Sequence, residues 1–181
     1  MSDVPPLTPL SPRAAEIVSV ARELLETGGR EAVTMRAIAE RLGIRAPSLY
    51  KHVPDKAALE AALIEQGLAE LGAALYEALD DERPVWALLE VYRGRASVHP
   101  NLYRLGTAGR LPRERLAPGL EDWAGRPFFV VTGEVKLARA LWTFAHGMVI
   151  LELDGRFPDD ADIDGTWAEG VHVFESRLST T

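Results

Sequence analysis

The residue types able to do chemistry concentrate between positions 34 and 56, TMRAIAERLGIRAPSLYKHVPDK. Five bases (Arg36, Arg41, Arg45, Lys51, Lys56) stand there against two acids (Glu40, Asp55), in a chain whose net charge is −7. A local basic patch on an acidic body decides what that surface attracts more than the overall charge does. Tyr50 lies in the same stretch and is the only aromatic before residue 75. The pattern predicts a helix capped by Thr34, with Ile38, Ala39 and Leu42 on one face and Gly43 closing it. A second short helix is expected at about 46–52, with Pro47 in its first turn and Leu49 inward. Two helices braced through a Leu42-Gly43-Ile44 turn make a helix-turn-helix. Its outward residues, Arg45, Ser48, Tyr50, Lys51 and His52, suit an exposed helix that enters the major groove while neighbours hold phosphates.

The elements that must position this segment are also legible. Residues 1–12, with Pro5, Pro6, Pro9 and Pro12, read as a mobile arm. Ser11 caps a helix carrying Ile17, Ala21, Leu24 and Leu25, which Gly28-Gly29 stops. Asp55 starts a long helix over about 55–80, striped by Leu59, Leu63, Leu71, Leu75 and Leu79. A further helix runs from Pro84 to before Pro100. Residues 100–131, interrupted by glycines and prolines, predict only short helices. Thr132 opens a helix that is apolar nearly all round from Ala140 to Leu151, which marks burial on more than one side. A last helix carries Trp167, Val171, Phe174 and Leu178. The expected class is all-α, about nine helices.

Other chemistries find no support. The chain has 181 residues, no cysteine and no apolar run of the roughly 20 residues a membrane span needs. Disulfides, thiolate metal sites and cysteine nucleophiles are excluded. No Gly-x-Ser-x-Gly, phosphate-cradling glycine loop or His-Glu-x-x-His occurs, so an enzyme is not expected. The histidines (52, 99, 146, 172) lack metal-ligand spacing. The acids at 159–164 lack the glycine and closing glutamate of a calcium loop. No metal or cofactor is expected.

On these residues the segment resembles the tetracycline-repressor (TetR) family of bacterial transcription regulators: Thr34, Arg36, Ile38, Ala39, Leu42, Gly43, Ile44, Ser48, Leu49, Tyr50, His52 and Lys56 stand in register. Val53 replaces the Phe most members carry after the His. The resemblance implies phosphate contacts for Thr34, Tyr50 and Lys56. It implies base-edge candidates in Arg36, Arg45, Ala46 and Ser48, and backbone or base contacts for Lys51 and His52; Pro47 completes the candidate surface. The plain structural alternatives are that Tyr50 packs its ring and His52 caps or stacks.

The resemblance extends to residues 91–105 and 141–153, which are similar to a C-terminal subtype with a Trp and a His-Gly in its long penultimate helix. It implies a cytoplasmic regulator with a helix-turn-helix domain at 13–56 and a ligand-binding and dimerisation domain at 57–181. Its partners would be a palindromic operator in double-stranded DNA, a second copy of the chain, and a small apolar or amphipathic ligand. Trp86, Tyr92, Tyr103, Phe128, Trp142, Phe144 and His146 are the candidate pocket lining. Leu141, Ala145, Met148 and Val149, with Trp167, Val171, Phe174 and Leu178, are the candidate pairing surface, the alternative being that both helices are core of one monomer. The rival functions are a helical small-molecule-binding protein with a vestigial motif and a DNA-packaging protein without a ligand.

Overall fold

The computed structural model describes residues 4–178. Among them lie nine α-helices and no strand: α1 (Pro12–Ala32), α2 (Met35–Arg41), α3 (Ala46–Leu49), α4 (Lys56–Glu77), α5 (Pro84–Val98), α6 (Pro100–Thr107), α7 (Leu120–Thr132), α8 (Val135–Leu153) and α9 (Ile163–Leu178). Single 3-10 turns follow α4 and precede α7. The helices belong to two packing units, Val4–Glu70 with His99–Leu120 and Leu71–Val98 with the described residues from Glu121 on. None of the described helices is long and apolar enough to cross a membrane.

In the first unit, α1 begins where the Ser11 hydroxyl accepts from the Ala14 amide (3.2 Å) with Pro12 in the first turn. Ala14, Ile17, Val18, Ala21 and Leu25 form its buried stripe. The expected stop at Gly28-Gly29 is a break instead: Gly29 leaves helical geometry at φ 70° and one more turn follows to Ala32. Thr34 caps α2 by accepting from the Ala37 amide (3.1 Å). The helix ends in a Schellman turn, Gly43 N–H to the Glu40 carbonyl and Ile44 N–H to the Ala39 carbonyl (3.0 Å). Gly43 sits at φ +65°, where a side chain would be strained. That turn delivers α3.

Helix α3 is a single turn, shorter than expected, and residues 50–53 continue as hydrogen-bonded turns. Four residues cannot sustain a helix alone. Leu49 and Val53 hold it, both buried in one core with α1, α2, Leu59, Leu63 and Ile64 of α4, and Leu102 and Leu105 of α6. Val53, which stands where the family carries Phe, thus still anchors this segment in the core. The Asp55 carboxylate caps α4 at the Ala58 amide (2.6 Å). Of the expected arm, residues 1–3 lie outside the described residues, and Thr8 is tied down: its hydroxyl donates to Glu65 (2.7 Å) and its amide to the same carboxylate (3.2 Å).

In the second unit α5 packs against α8 and α9. Arg93 of α5 bonds Glu152 of α8 (2.9 Å) and Asp164 of α9 (2.7 Å), and the Trp167 indole donates to the same Glu152. Trp123 of α7 lies on Gly72 of α4 so closely that a Cβ at residue 72 would meet the ring at 2.3 Å. Two expectations change here. Helix α7 runs thirteen residues through Pro127 rather than breaking. Thr132 ends α7 by bonding back to the Phe128 carbonyl, and Glu134 caps α8 instead.

Candidate nucleic-acid interface

Helix α3, capped by extended Arg45, shows solvent one side only: Leu49 is fully buried, whereas Arg45, Pro47, Ser48, Tyr50, Lys51 and His52 are all exposed. The structure therefore gathers six of the expected residues on one short surface. Tyr50 is 52% exposed, which removes the alternative that its ring packs inside. Arg45, Lys51 and His52 form no ion pair or hydrogen bond through their side chains with any described residue. Ala46 is half-buried and packs against the core, which leaves its methyl little to offer a base edge.

The remaining expected residues frame this surface and are already engaged. The Thr34 oxygen caps α2. Arg36 points into water but bonds Glu40 one turn on (2.9 Å), and that hydrogen bond raises its pKa. Lys56 donates to the Arg30 carbonyl (3.3 Å) at the broken end of α1 and lies 3.8 Å from Glu60. Arg30 grips Glu60 with two hydrogen bonds of 2.8 Å, holding that carboxyl below its ordinary pKa. Bidentate pairs of this kind fix geometry as well as charge.

The sequence reading missed how far the surroundings of this surface extend. Helix α6 and the connection after it pack in the same unit as the helix-turn-helix, although they are far away in sequence. The Asn101 side chain donates to the Glu26 carbonyl (3.1 Å). Arg115 reaches Asp55 (3.3 Å), the cap of α4, and the Ala117 amide donates to buried Glu65. The sequence signal for it is the cluster Arg104, Arg110, Arg113 and Arg115 in an otherwise acidic stretch.

Several of the expected pocket residues are joined in ring contacts. Tyr92 and Phe128 meet edge to face (centroids 5.6 Å), and Trp142 stacks on His146 (5.7 Å). Burial lowers the His146 pKa. Phe144 packs on Trp167 (5.5 Å) and Phe174 (6.0 Å) inside the α8–α9 contact. Trp86 lies under Arg83 (5.2 Å), and Tyr103 belongs to the other unit. A residue not foreseen is Tyr76, whose ring meets Trp123 (5.2 Å) and whose buried hydroxyl has no hydrogen-bond partner among the described residues. A buried hydroxyl without a partner costs about 1–3 kcal/mol.

Of the expected pairing residues, Leu141, Ala145, Met148, Val149, Trp167 and Val171 are buried within the chain itself, and Phe174 and Leu178 are half-buried. The apolar side chains that α8 and α9 present to solvent are Val135, Trp142, Leu151 and Val173.

Comparison with known proteins agrees with this architecture. Residues 17–63 match the family of bacterial regulatory proteins, tetR family. Over 174 residues the chain is 32% identical to an uncharacterised HTH-type transcriptional regulator of Mycobacterium tuberculosis, spanning 86% of this chain and 76% of that one. Its fold is similar to a protein of unknown function from Rhodococcus sp. RHA1 (TM-score 0.75, 21% identity, 91% of this chain and 94% of the other). It is also similar to a TetR variant from Acinetobacter baumannii AYE solved in complex with minocycline (TM-score 0.57, 26% identity, 91% and 93%). The exposed α3 surface, the helical fold and a relative matched over most of its length lead to one conclusion: the chain belongs to the tetR family of bacterial regulatory proteins and is a helix-turn-helix transcriptional regulator, not an enzyme.

Proposed function

We propose that the chain is a cytoplasmic repressor that grips a palindromic operator as a twofold homodimer and lets go when a small molecule binds. The observation that carries the reading is the α3 surface: an exposed tyrosine with Arg45 and Lys51 uncommitted beside it. Unpaired guanidinium and ammonium groups beside a phenol match the donors that phosphates and guanine edges accept. A one-turn helix reads few bases, so useful specificity calls for two copies about 34–36 Å apart on a palindrome.

In this reading residues 13–56 contact DNA: Tyr50, Lys56 and Thr34 hold phosphates, Arg45 and Ser48 face bases, and Arg36, Lys51 and His52 reach either. Residues 57–181 receive the ligand and pair the chains. The outward residues Val135, Trp142, Leu151 and Val173 replace the buried set as the pairing surface, since exposed apolar area is what a partner can cover. The TetR structure solved with minocycline supports a small-molecule ligand, and the unpartnered hydroxyl of Tyr76 beside Trp123 supports a ligand with an apolar body and one hydrogen-bonding group.

The test is fluorescence anisotropy on DNA from beside the chain's own gene, with scrambled DNA as competitor, followed by selection from random duplexes. Binding that survives the competitor is the expected result. Loss of binding to every selected duplex would leave a helical small-molecule binder with a vestigial motif.

A further inference from the structure

We propose that the connection between α6 and α7 is a second phosphate-holding element, in which Arg110 and Arg113 grip the backbone of the same duplex that α3 reads. The inference rests on the reading of the chain as a DNA binder and extends the contact surface beyond the helix-turn-helix.

Charge points to it first. Residues 4–70, which hold the whole helix-turn-helix, carry eight Lys/Arg against nine Asp/Glu. Taken alone that stretch is slightly repelled by DNA. Residues 99–120 add four arginines against one glutamate, and the packing unit they complete turns to +2. The other unit, residues 71–98 and 121–181, holds eight bases against sixteen acids. The surplus of positive charge therefore lies in the unit that carries α3.

Anchoring points the same way. Arg115 is paired with Asp55 at 3.3 Å, and Asp55 immediately precedes Lys56, the expected phosphate contact at the start of α4. The pair does two things. It fastens the connection beside the start of α4, and it offsets the carboxylate nearest that contact. The Ala117 amide on Glu65 fixes a second point further along α4. Between α6 and these anchors, Arg110 and Arg113 are exposed, and Arg110 has no ion pair among the described residues. Arginine in this setting binds phosphate with two parallel donors.

The test compares wild type with the double variant Arg110→Ala, Arg113→Ala and with Lys51→Ala. Each is titrated between about 50 and 200 mM salt on a selected duplex and on a scrambled duplex of the same length, after circular dichroism shows an unchanged helical fold. Each phosphate contact contributes close to one unit to the slope of log affinity against log salt. The double variant is expected to lower the slope by about one unit for Arg110 and by up to one more for Arg113, weakening both duplexes by the same factor. An unchanged slope in the double variant, with a reduced one in Lys51→Ala, overturns the role of the connection and leaves the DNA-binding reading intact. Weakening on the selected duplex alone also overturns it, because the arginines would then act on base readout. A wild type without salt-dependent binding to either duplex removes the DNA-binding reading itself.

Discussion

Replacing Leu49 by alanine separates holding the recognition helix from using it. Leu49 is the only buried residue of α3, at 0% exposure, and α3 is one turn long. Truncating a fully buried leucine costs about 2–5 kcal/mol, from lost transfer energy and the cavity left behind. For a chain of this size that lowers Tm by on the order of 10 °C. Undocking costs less than global unfolding, because α3 surrenders one anchor and Val53 rather than a whole core. DNA binding should therefore fall more than the helical signal at 25 °C. The assay is thermal and urea unfolding by far-UV circular dichroism, beside anisotropy on a selected duplex. Tryptophan fluorescence is the wrong probe, since Trp86, Trp123, Trp142 and Trp167 all lie in the other unit. Tyr50→Ala is the counterpart: Tyr50 is half-exposed, so stability should hold within about 0.5 kcal/mol while affinity drops roughly tenfold or more. A Leu49→Ala protein of wild-type stability and full binding would refute the anchoring of α3 by Leu49.

Leu151→Asp and Val173→Asp should yield folded monomers in analytical ultracentrifugation, whereas Trp167→Asp should unfold the α8–α9 unit because that indole is 2% exposed; dimers persisting in both surface variants would move the pairing surface elsewhere. Gly72→Ala should cost about 1–3 kcal/mol and shift near-UV circular dichroism, since its Cβ meets the Trp123 ring; an unchanged spectrum would contradict that contact. His146 gives a pH prediction. Burial holds its folded pKa below the ordinary 6.5, so the folded state takes up its proton less readily than the unfolded state. Its contribution is full above 6.5 and is lost as pH falls below that value, a slope that His146→Gln should flatten in urea melts between pH 7 and 5.

The helix-turn-helix was legible because each of its decisions is local. Ser11, Thr34 and Asp55 cap the residue three positions ahead, and Gly43 closes α2 within five residues, so short patterns suffice. The long helices were legible from their apolar periodicity. What failed depends on partners distant in sequence. Helix α8 is apolar on nearly every side, so sequence alone cannot say that Leu141 and Ala145 face inward and Trp142 outward. Pro127 looked like a breaker, yet it lies inside α7 and is buried. The attachment of residues 99–120 to the helix-turn-helix has no local signature, because it rests on Asn101 meeting Glu26, Leu102 packing on Gly67 and Arg115 reaching Asp55.

Lys56 and Lys51 differ in a way that bears on the thermodynamics of operator capture. The ammonium of Lys56 is already oriented by the Arg30 carbonyl and by Glu60, which Arg30 itself locks in place. Much of its rotamer freedom is surrendered on folding, before any DNA arrives. Lys51 and Arg45 keep theirs and must give up about 0.5–1.5 kcal/mol each when they settle on a duplex. Lys56 is thus preorganised before any encounter with DNA. On the proposed reading, the entropy of recognition falls on α3, and the start of α4 contributes a contact whose ordering was completed when the chain folded.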